Sequence, residues 1–489
     1  MRTFHITCAL KRILSYTYNR AALSTQTMRG GSQVGTLGGS IRCHLLQKRR
    51  GCAGTSGVNS DCGGSCTAHE DVVTPWNVSA AGVGGIDYER VLTRFKSQPV
   101  DEPLLKKMEE VTLEGPAGSN PCRDSDSQCG NKGDSPPMHH FFRRGIAFSH
   151  RDFNRALDSV HSALRLGNHG AFLYTGRGPS ARTMHLGHVL PFLLTRHLQE
   201  IFGLPLVIQI TDDEKYFFRD IPLHSEGSHD AADIVVENIK DIIAFGLNPE
   251  RTFIFRNTSY MGSMYPTVVR LQRTMTINTV KNTLGLTDSD NIGKVAFPAT
   301  QAAPCFSSAF PQVLADSKRG APLQCIVPCA IDQDPFFVLA RAAAARLRYR
   351  PPALLHTKFL PALRGMKFKM SSSGEEGGVI TLHDTAEQVQ KKMRKAFSGG
   401  SGTLNDMKVK GVDLSVDVAY QYLYFFCPDD MLLDEVTRKY AAGDMNSGDV
   451  KDLAANVVVR HVLRDWQVRR QCVTDADVQH FTSIRNIMV

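Results

Sequence analysis

The stretch AFLYTGRGPSARTMHLGHVLPFLL, residues 171–194, decides the fold. It opens with an apolar run of buried-strand length, passes through a Gly, Pro and Ser turn, and ends in a segment apolar enough to start a helix. Strand, tight turn and helix in that order bring backbone N–H groups and a positive dipole end to one point, where a phosphate can sit. Gly176 and Gly178 let the chain turn sharply, and Gly187 leaves room for an adenine ring against the helix backbone. His185 and His188, three apart, are expected on one face of the helix start, both donating toward one phosphate. Two helical histidines are also half of a metal site, but no third ligand accompanies them.

Outward from this unit the pattern repeats. PLVIQITD (205–212), TFIF (252–255) and LQCIVPC (323–329) read as further buried strands, with helices at residues 188–202 and 231–245 between them. Such alternation predicts an α/β fold with a Rossmann-like, doubly wound parallel sheet. After about Thr385 no strand follows. EQVQKKMRKAF, DVAYQYLYFF and SGDVKDLAANVVVRHVLRDWQVRR predict a helical C-terminal domain. Upstream, VVTPWNVSAAGVGG reads as a hairpin or extended arm before a helix from about Asp87 and another near residues 104–111. The Gly-, Pro- and Ser-rich run 115–137 reads as a surface insertion.

The net charge of +9 resides in the head. Residues 1–60 hold nine Lys or Arg and no acid, leaving 48 of each sign in the remainder, so the excess argues for targeting and says little about nucleic-acid binding, which would need a local patch. MRTFHITCALKRILSYTYNRAALST, rich in Arg, Ser and Thr, has the properties of a mitochondrial transit peptide. Matrix localisation is therefore expected, with the cytoplasm as the alternative. No apolar run reaches the ~20 residues a membrane span needs, so no membrane partner is expected. The twelve cysteines are expected as thiols. Cys62-x3-Cys66 and Cys325-x3-Cys329 lack a second pair at zinc spacing, so no metal site is expected.

Lys369-Met370-Ser371-Ser372-Ser373 lies on a Gly-flanked loop far downstream of the histidines. An ammonium and hydroxyls on a loop suit the neutralisation of a departing pyrophosphate. With MHLGH before it, this order of motifs resembles the class I aminoacyl-tRNA synthetases. HHFFRRGIAFSHRDFN, LYTGRGPSARTMHLGHV, PLVIQITDDEKY, TDSDNIGK, FPATQAAPCFSSAFP, CAIDQDPFF and KMSSS narrow it to the tryptophanyl-tRNA synthetases of eukaryotic cytosolic and archaeal type, from about Val73 onward.

The resemblance implies a tryptophan–tRNA ligase that takes L-tryptophan, ATP with Mg2+, and tRNA(Trp), and that forms a homodimer. It implies that His185, His188, Lys369, Ser371 and Ser373 act on the ATP phosphates and the leaving pyrophosphate. Arg177, Gly178, Gly187, Lys215 and Met370 would complete the ATP site. Tyr174 and Gln209 would accept the indole N–H, Glu214 and Gln301 would hold the substrate ammonium, Gln333 would assist, and Phe297 and Cys329 would line the indole slot. Chemistry agrees: a tryptophan site needs an apolar slot and an acceptor for one ring N–H, and a carboxylate such as Glu214 suits a primary ammonium.

The domains expected on this basis are a basic head at 1–60, an N-terminal extension at 61–138, a catalytic domain at 139–384 and a helical anticodon-binding domain at 385–489. One departure stands out: after AFSGG the family has Arg-Asp-Thr, whereas this chain has Ser401-Gly402-Thr403. Mitochondrial codes often read UGA as tryptophan, so relaxed anticodon recognition is expected. Two rivals differ from this reading. A tyrosyl-tRNA synthetase would need polar partners for a phenol hydroxyl, and an inactive paralogue serving as an RNA-binding or signalling module should have lost His185, His188 or Lys369, all of which are present.

Overall fold

A computed structural model describes residues 71–82, 84–115, 138–167, 169–219, 229–315, 322–370, 378–400 and 411–488, with backbone alone at 229–233, 368 and 369. The basic head, the insertion at 116–137, Ser371, Ser373 and residues 401–410 lie outside the described residues.

Eleven strands are described: β1 (Val72–Val73), β2 (Val78–Ser79), β3 (Gln98–Pro99), β4 (Ala147–Arg151), β5 (Ala171–Arg177), β6 (Leu206–Ile210), β7 (Thr252–Arg256), β8 (Gln324–Ala330), β9 (Ala353–Thr357), β10 (Pro361–Ala362) and β11 (Gly365–Lys369). The central sheet runs β3-β4-β9-β8-β5-β6-β7. From β9 to β7 it is parallel, and these strands read as continuous apolar runs because helices cover both faces. The doubly wound parallel sheet predicted from the sequence is thus present, with β4 and β3 added antiparallel at one edge. From β5 the chain winds one way to β6 and β7, then returns on the other side as β8 and β9. The switch point thus falls between β5 and β8, where such sheets open a ligand crevice.

β4 and β9 escaped the sequence reading because each carries a buried polar residue that breaks the apolar pattern. Ser149 Oγ and His356 Nδ1 satisfy each other at 2.8 Å. A second small sheet, β1-β2-β11-β10, joins the expected N-terminal hairpin to the strand that enters the KMSSS segment. Asp87 caps the helix Tyr88–Phe95 by accepting from the N–H groups of Glu89 and Arg90.

The two faces of β5 explain the layout of everything that follows. Ala171 and Leu173 enter one hydrophobic core together with Val235, Ile239 and Trp466, whereas Phe172 and Tyr174 enter the other with Phe253, Tyr260 and Phe310. The first core continues into the C-terminal helices Ala386–Arg394, Val418–Phe426, Ser447–Val458 and Arg464–Cys472 without a break. Thr385 starts that helical part with a capping box on Gln388. No helix among the described residues is long and apolar enough to cross a membrane. Cys305, Cys325, Cys329, Cys427 and Cys472 are free thiols.

Candidate active site

A cavity of about 510 Å³ opens at the switch point. Arg177, Gly178, His185, Gly187, His188, Glu214, Lys215, Gln301, Cys329, Gln333 and Met370 all reach its wall. They come from strand ends and the turns after them, because β5, β6 and β8 are parallel and end at the same level.

Period-two alternation sends Arg177 to the face opposite Tyr174, against the helix His229–Ile243. There its Nε donates to Asn238 Oδ1 at 3.2 Å, and Asn238 donates to the carbonyls of Ala181 and Ile234, both at 2.8 Å. Arg177 Nη2 is buried and has no hydrogen-bond partner. Burial pulls this guanidinium down to about 10, and the carboxylates of Glu214 and Asp241 offset that only in part.

His185 and His188 meet, but not as neighbours on an α-helix. His185 is extended and caps a short 3-10 turn, accepting from Gly187 N–H, and the helix begins only at Val189. The two imidazoles stack with centroids 3.7 Å apart. The space over Gly187 holds the His185 ring and Met370: a Cβ there would stand 3.0 Å from the imidazole and 3.3 Å from Met370 Cβ. At Gly178 a Cβ would fall 2.3 Å from Glu214 Oε2 and 3.1 Å from Lys215 Nζ, so a side chain there would push on that pair. Glu214 accepts from Lys215 Nζ at 2.7 Å and from Thr211 Oγ1 at 2.8 Å, so the expected ammonium holder and phosphate contact neutralise one another.

Tyr174 and Gln209 lie side by side beneath the wall, both fully buried. Tyr174 Oη donates to Gln209 Oε1 at 2.5 Å and sits 3.1 Å from the carbonyl of Gln301. Burial pushes the phenol up from its ordinary value, and it does the same to the Cys329 thiol on the wall. Phe297 stands off the cavity, packed at 5.9 Å against both Phe218 and Phe336. Of the KMSSS segment, Met370 is buried and its thioether Sδ accepts from Gly187 N–H at 3.3 Å; the side chain of Lys369 lies outside the described residues.

Sequence reading missed Trp76, one of two tryptophans, which lines the cavity from the hairpin, stacks on Phe218 at 3.9 Å and donates to Leu284 O at 3.1 Å. It also missed Asn238, Asp213 and Asn257, polar residues whose roles are set by partners far away in sequence. No three His, Cys, Asp or Glu side chains gather to hold a metal among the described residues, so the site does not fit a protein-built magnesium centre. Magnesium would instead be held by the nucleotide's own phosphates and water.

The arrangement offers a cationic, hydrogen-bonding end and an apolar end with polar groups beneath it. Comparison with known proteins agrees with that chemistry. The family described as tRNA synthetases class I (W and Y) matches residues 168–462. The human cytoplasmic tryptophan–tRNA ligase is 42% identical over 424 residues, spanning 86% of this chain and 82% of the human protein. The corresponding cytoplasmic ligase of Dictyostelium discoideum is 39% identical over 420 residues, spanning 86% and 96%. Among solved structures, tryptophanyl-tRNA synthetase of Plasmodium falciparum is similar with a TM-score of 0.67 at 38% identity, covering 81% of this chain and 95% of that one.

Proposed function

The chain belongs to the class I tRNA synthetases and is a tryptophan–tRNA ligase, and we propose that it serves mitochondrial translation through the cavity at the β5/β8 switch point. The tryptophan carboxylate attacks the α-phosphorus of ATP and pyrophosphate leaves. The 2′-hydroxyl of the terminal adenosine of tRNA(Trp) then attacks the mixed anhydride, and AMP leaves.

No side chain becomes covalent, so catalysis is positioning and charge stabilisation. Arg177, His185, His188 and Lys215 hold the phosphates, and Lys369, Ser371 and Ser373 close over the pyrophosphate. Glu214, Gln301 and Gln333 hold the amino-acid end, with Tyr174 and Gln209 reading the indole N–H. Binding a zwitterion and a polyanion exchanges the Glu214–Lys215 pair for one ligand partner each. The observation that carries this reading is the buried Arg177 guanidinium with an unsatisfied Nη2 beside a cavity that also receives Gln301, Cys329 and Gln333.

Pyrophosphate–ATP exchange by the full chain, with tryptophan or tyrosine added separately, tests it. Exchange with tryptophan alone is expected; exchange with tyrosine, or with neither, overturns it. The basic head supports import, which a fluorescent fusion of residues 1–60 reports by its location. Ser401-Gly402-Thr403 supports relaxed anticodon reading, so CCA and UCA transcripts should be charged comparably. The homodimer carried by the family resemblance is checked by sedimentation.

A further inference from the structure

Beneath the amino-acid end runs a chain of four side chains from three elements. Tyr174 Oη donates to Gln209 Oε1 at 2.5 Å, Gln209 Nε2 donates to Asn257 Oδ1 at 2.7 Å, and Asn257 Nδ2 donates to Asp213 Oδ1 at 2.7 Å. Tyr174, Gln209 and Asn257 are fully buried, so water does not supply alternative partners. Each amide could in principle point either way, because the two ends of an Asn or Gln side chain have nearly the same shape. What breaks the tie is the last member, since an ionised carboxylate only accepts.

From that fixed end the direction propagates. Asn257 must turn its NH2 to Asp213, which leaves its oxygen facing Gln209. Gln209 must then turn its NH2 to Asn257, which leaves its oxygen facing Tyr174. The Tyr174 proton is thereby committed inward, to Gln209 Oε1 or to the Gln301 carbonyl, and the phenol oxygen keeps its lone pairs for a donor from the cavity. With Gln209 reversed, its NH2 would occupy those lone pairs itself.

Resting on the assignment of Tyr174 and Gln209 as indole readers, we infer that Asp213 and Asn257 are specificity-determining residues: they fix the polarity of the Tyr174–Gln209 pair so that the site accepts a ring N–H. The neighbouring carboxylates cannot substitute for Asp213. Asp212 is engaged by the Thr258 N–H and hydroxyl, and Glu214 by Thr211 and Lys215. Burial raises the Asp213 carboxyl to about 6, which still leaves it ionised at neutral pH. The Thr300 carbonyl, 3.4 Å from Gln209 Nε2, favours the same direction weakly, so loss of Asp213 should blunt the discrimination without abolishing it.

The test is pyrophosphate–ATP exchange by the full chain with tryptophan and with its benzothiophene isostere, which has sulfur in place of the ring N–H. A site built around that hydrogen bond should prefer tryptophan by more than about 100-fold in kcat/KM. Asp213→Asn keeps the shape but permits either amide direction, and should cut kcat/KM for tryptophan about tenfold while changing the isostere less than about threefold. KM for ATP should stay within about twofold. The exchanged pair Asp213→Asn with Asn257→Asp places an acceptor-only group against Gln209 again and should restore the discrimination. A purely structural role predicts equal losses for both substrates and no rescue.

Discrimination unchanged in Asp213→Asn, equal losses, or failure of the exchanged pair to recover each overturns the inference. A wild-type protein indifferent to the ring N–H overturns the assignment of Tyr174 and Gln209 and the inference with it. Absence of tryptophan-dependent exchange overturns the proposed activity itself.

Discussion

Buried cations are handled in opposite ways in two parts of the molecule. Along the seam between the α/β layer and the C-terminal helices, Arg143, Arg144 and Arg470 pair with carboxylates, while Arg469 donates to the Ala244 carbonyl. Arg470 donates through Nε to Asp241 at 2.9 Å and pairs with Glu237 at 2.5 Å; Arg143 and Arg144 share Asp430. At the switch-point cavity, Arg177 is 8% exposed and donates to the neutral amide of Asn238, with the charges of Glu214 and Asp241 acting on it but Nη2 left unpaired. A buried guanidinium with an unpaired Nη2 costs stability, which supports the proposed role of Arg177 toward an anionic ligand. The seam uses charge to hold helices; in the proposed function the cavity keeps Arg177 for phosphates.

The largest effect that would sharpen this contrast is acid sensitivity at the seam. His139, His140 and His197 cluster there, with ring centroids 4.4 and 4.8 Å from His139, and His140 Nε2 lies 3.0 Å from the Phe425 carbonyl. Burial lowers His140 and His197 to about 4 and His139 well below its ordinary value. These folded-state values lie under the unfolded ones, so the unfolded chain binds more protons on acidification. Stability is therefore full above about pH 6.5 and should fall by several kcal/mol, on the order set by the shifts, as pH drops toward 4. Urea midpoints at pH 7.5, 6 and 5 measure it; a flat profile would break the contrast at its strongest point.

Next, Arg470→Leu strands Asp241, which among the described residues keeps only His383 Nε2, at 3.1 Å, as a side-chain partner, and should lower unfolding stability by about 3–5 kcal/mol. Arg177→Met should do the reverse: exchange activity falls about 100-fold, roughly 2.7 kcal/mol of transition-state stabilisation, while the urea midpoint holds or rises. If Arg177→Met unfolds the protein and Arg470→Leu does not, the division between structural and reserved cations is wrong.

The central strands were legible because a parallel strand covered on both faces is apolar throughout. β5, β6, β7 and β8 all fall within two residues of their expected limits. β4 and β9 were not legible, since Ser149 and His356 are tolerated inside by bonding to each other across 207 positions, with Asp334 Oδ1 3.2 Å from the other ring nitrogen of His356. Most site residues were named from motifs and do converge on one cavity. Phe297 stands apart from it, and Tyr174 and Gln209 lie under its wall.

By itself the sequence determined the four central strands β5 to β8 with the helices between them, the glycine turn, and the pairing of MHLGH with KMSSS, because these depend on residue type and short spacing. Tertiary structure alone decided which cations have partners and which direction the Tyr174–Gln209–Asn257–Asp213 chain runs. Both depend on groups brought together from separate elements, such as Trp466 Nε1 donating to the Asp241 carbonyl from 225 residues away. Hydrogen-bond polarity and charge pairing are properties of what stands opposite a side chain, and only folding puts anything there.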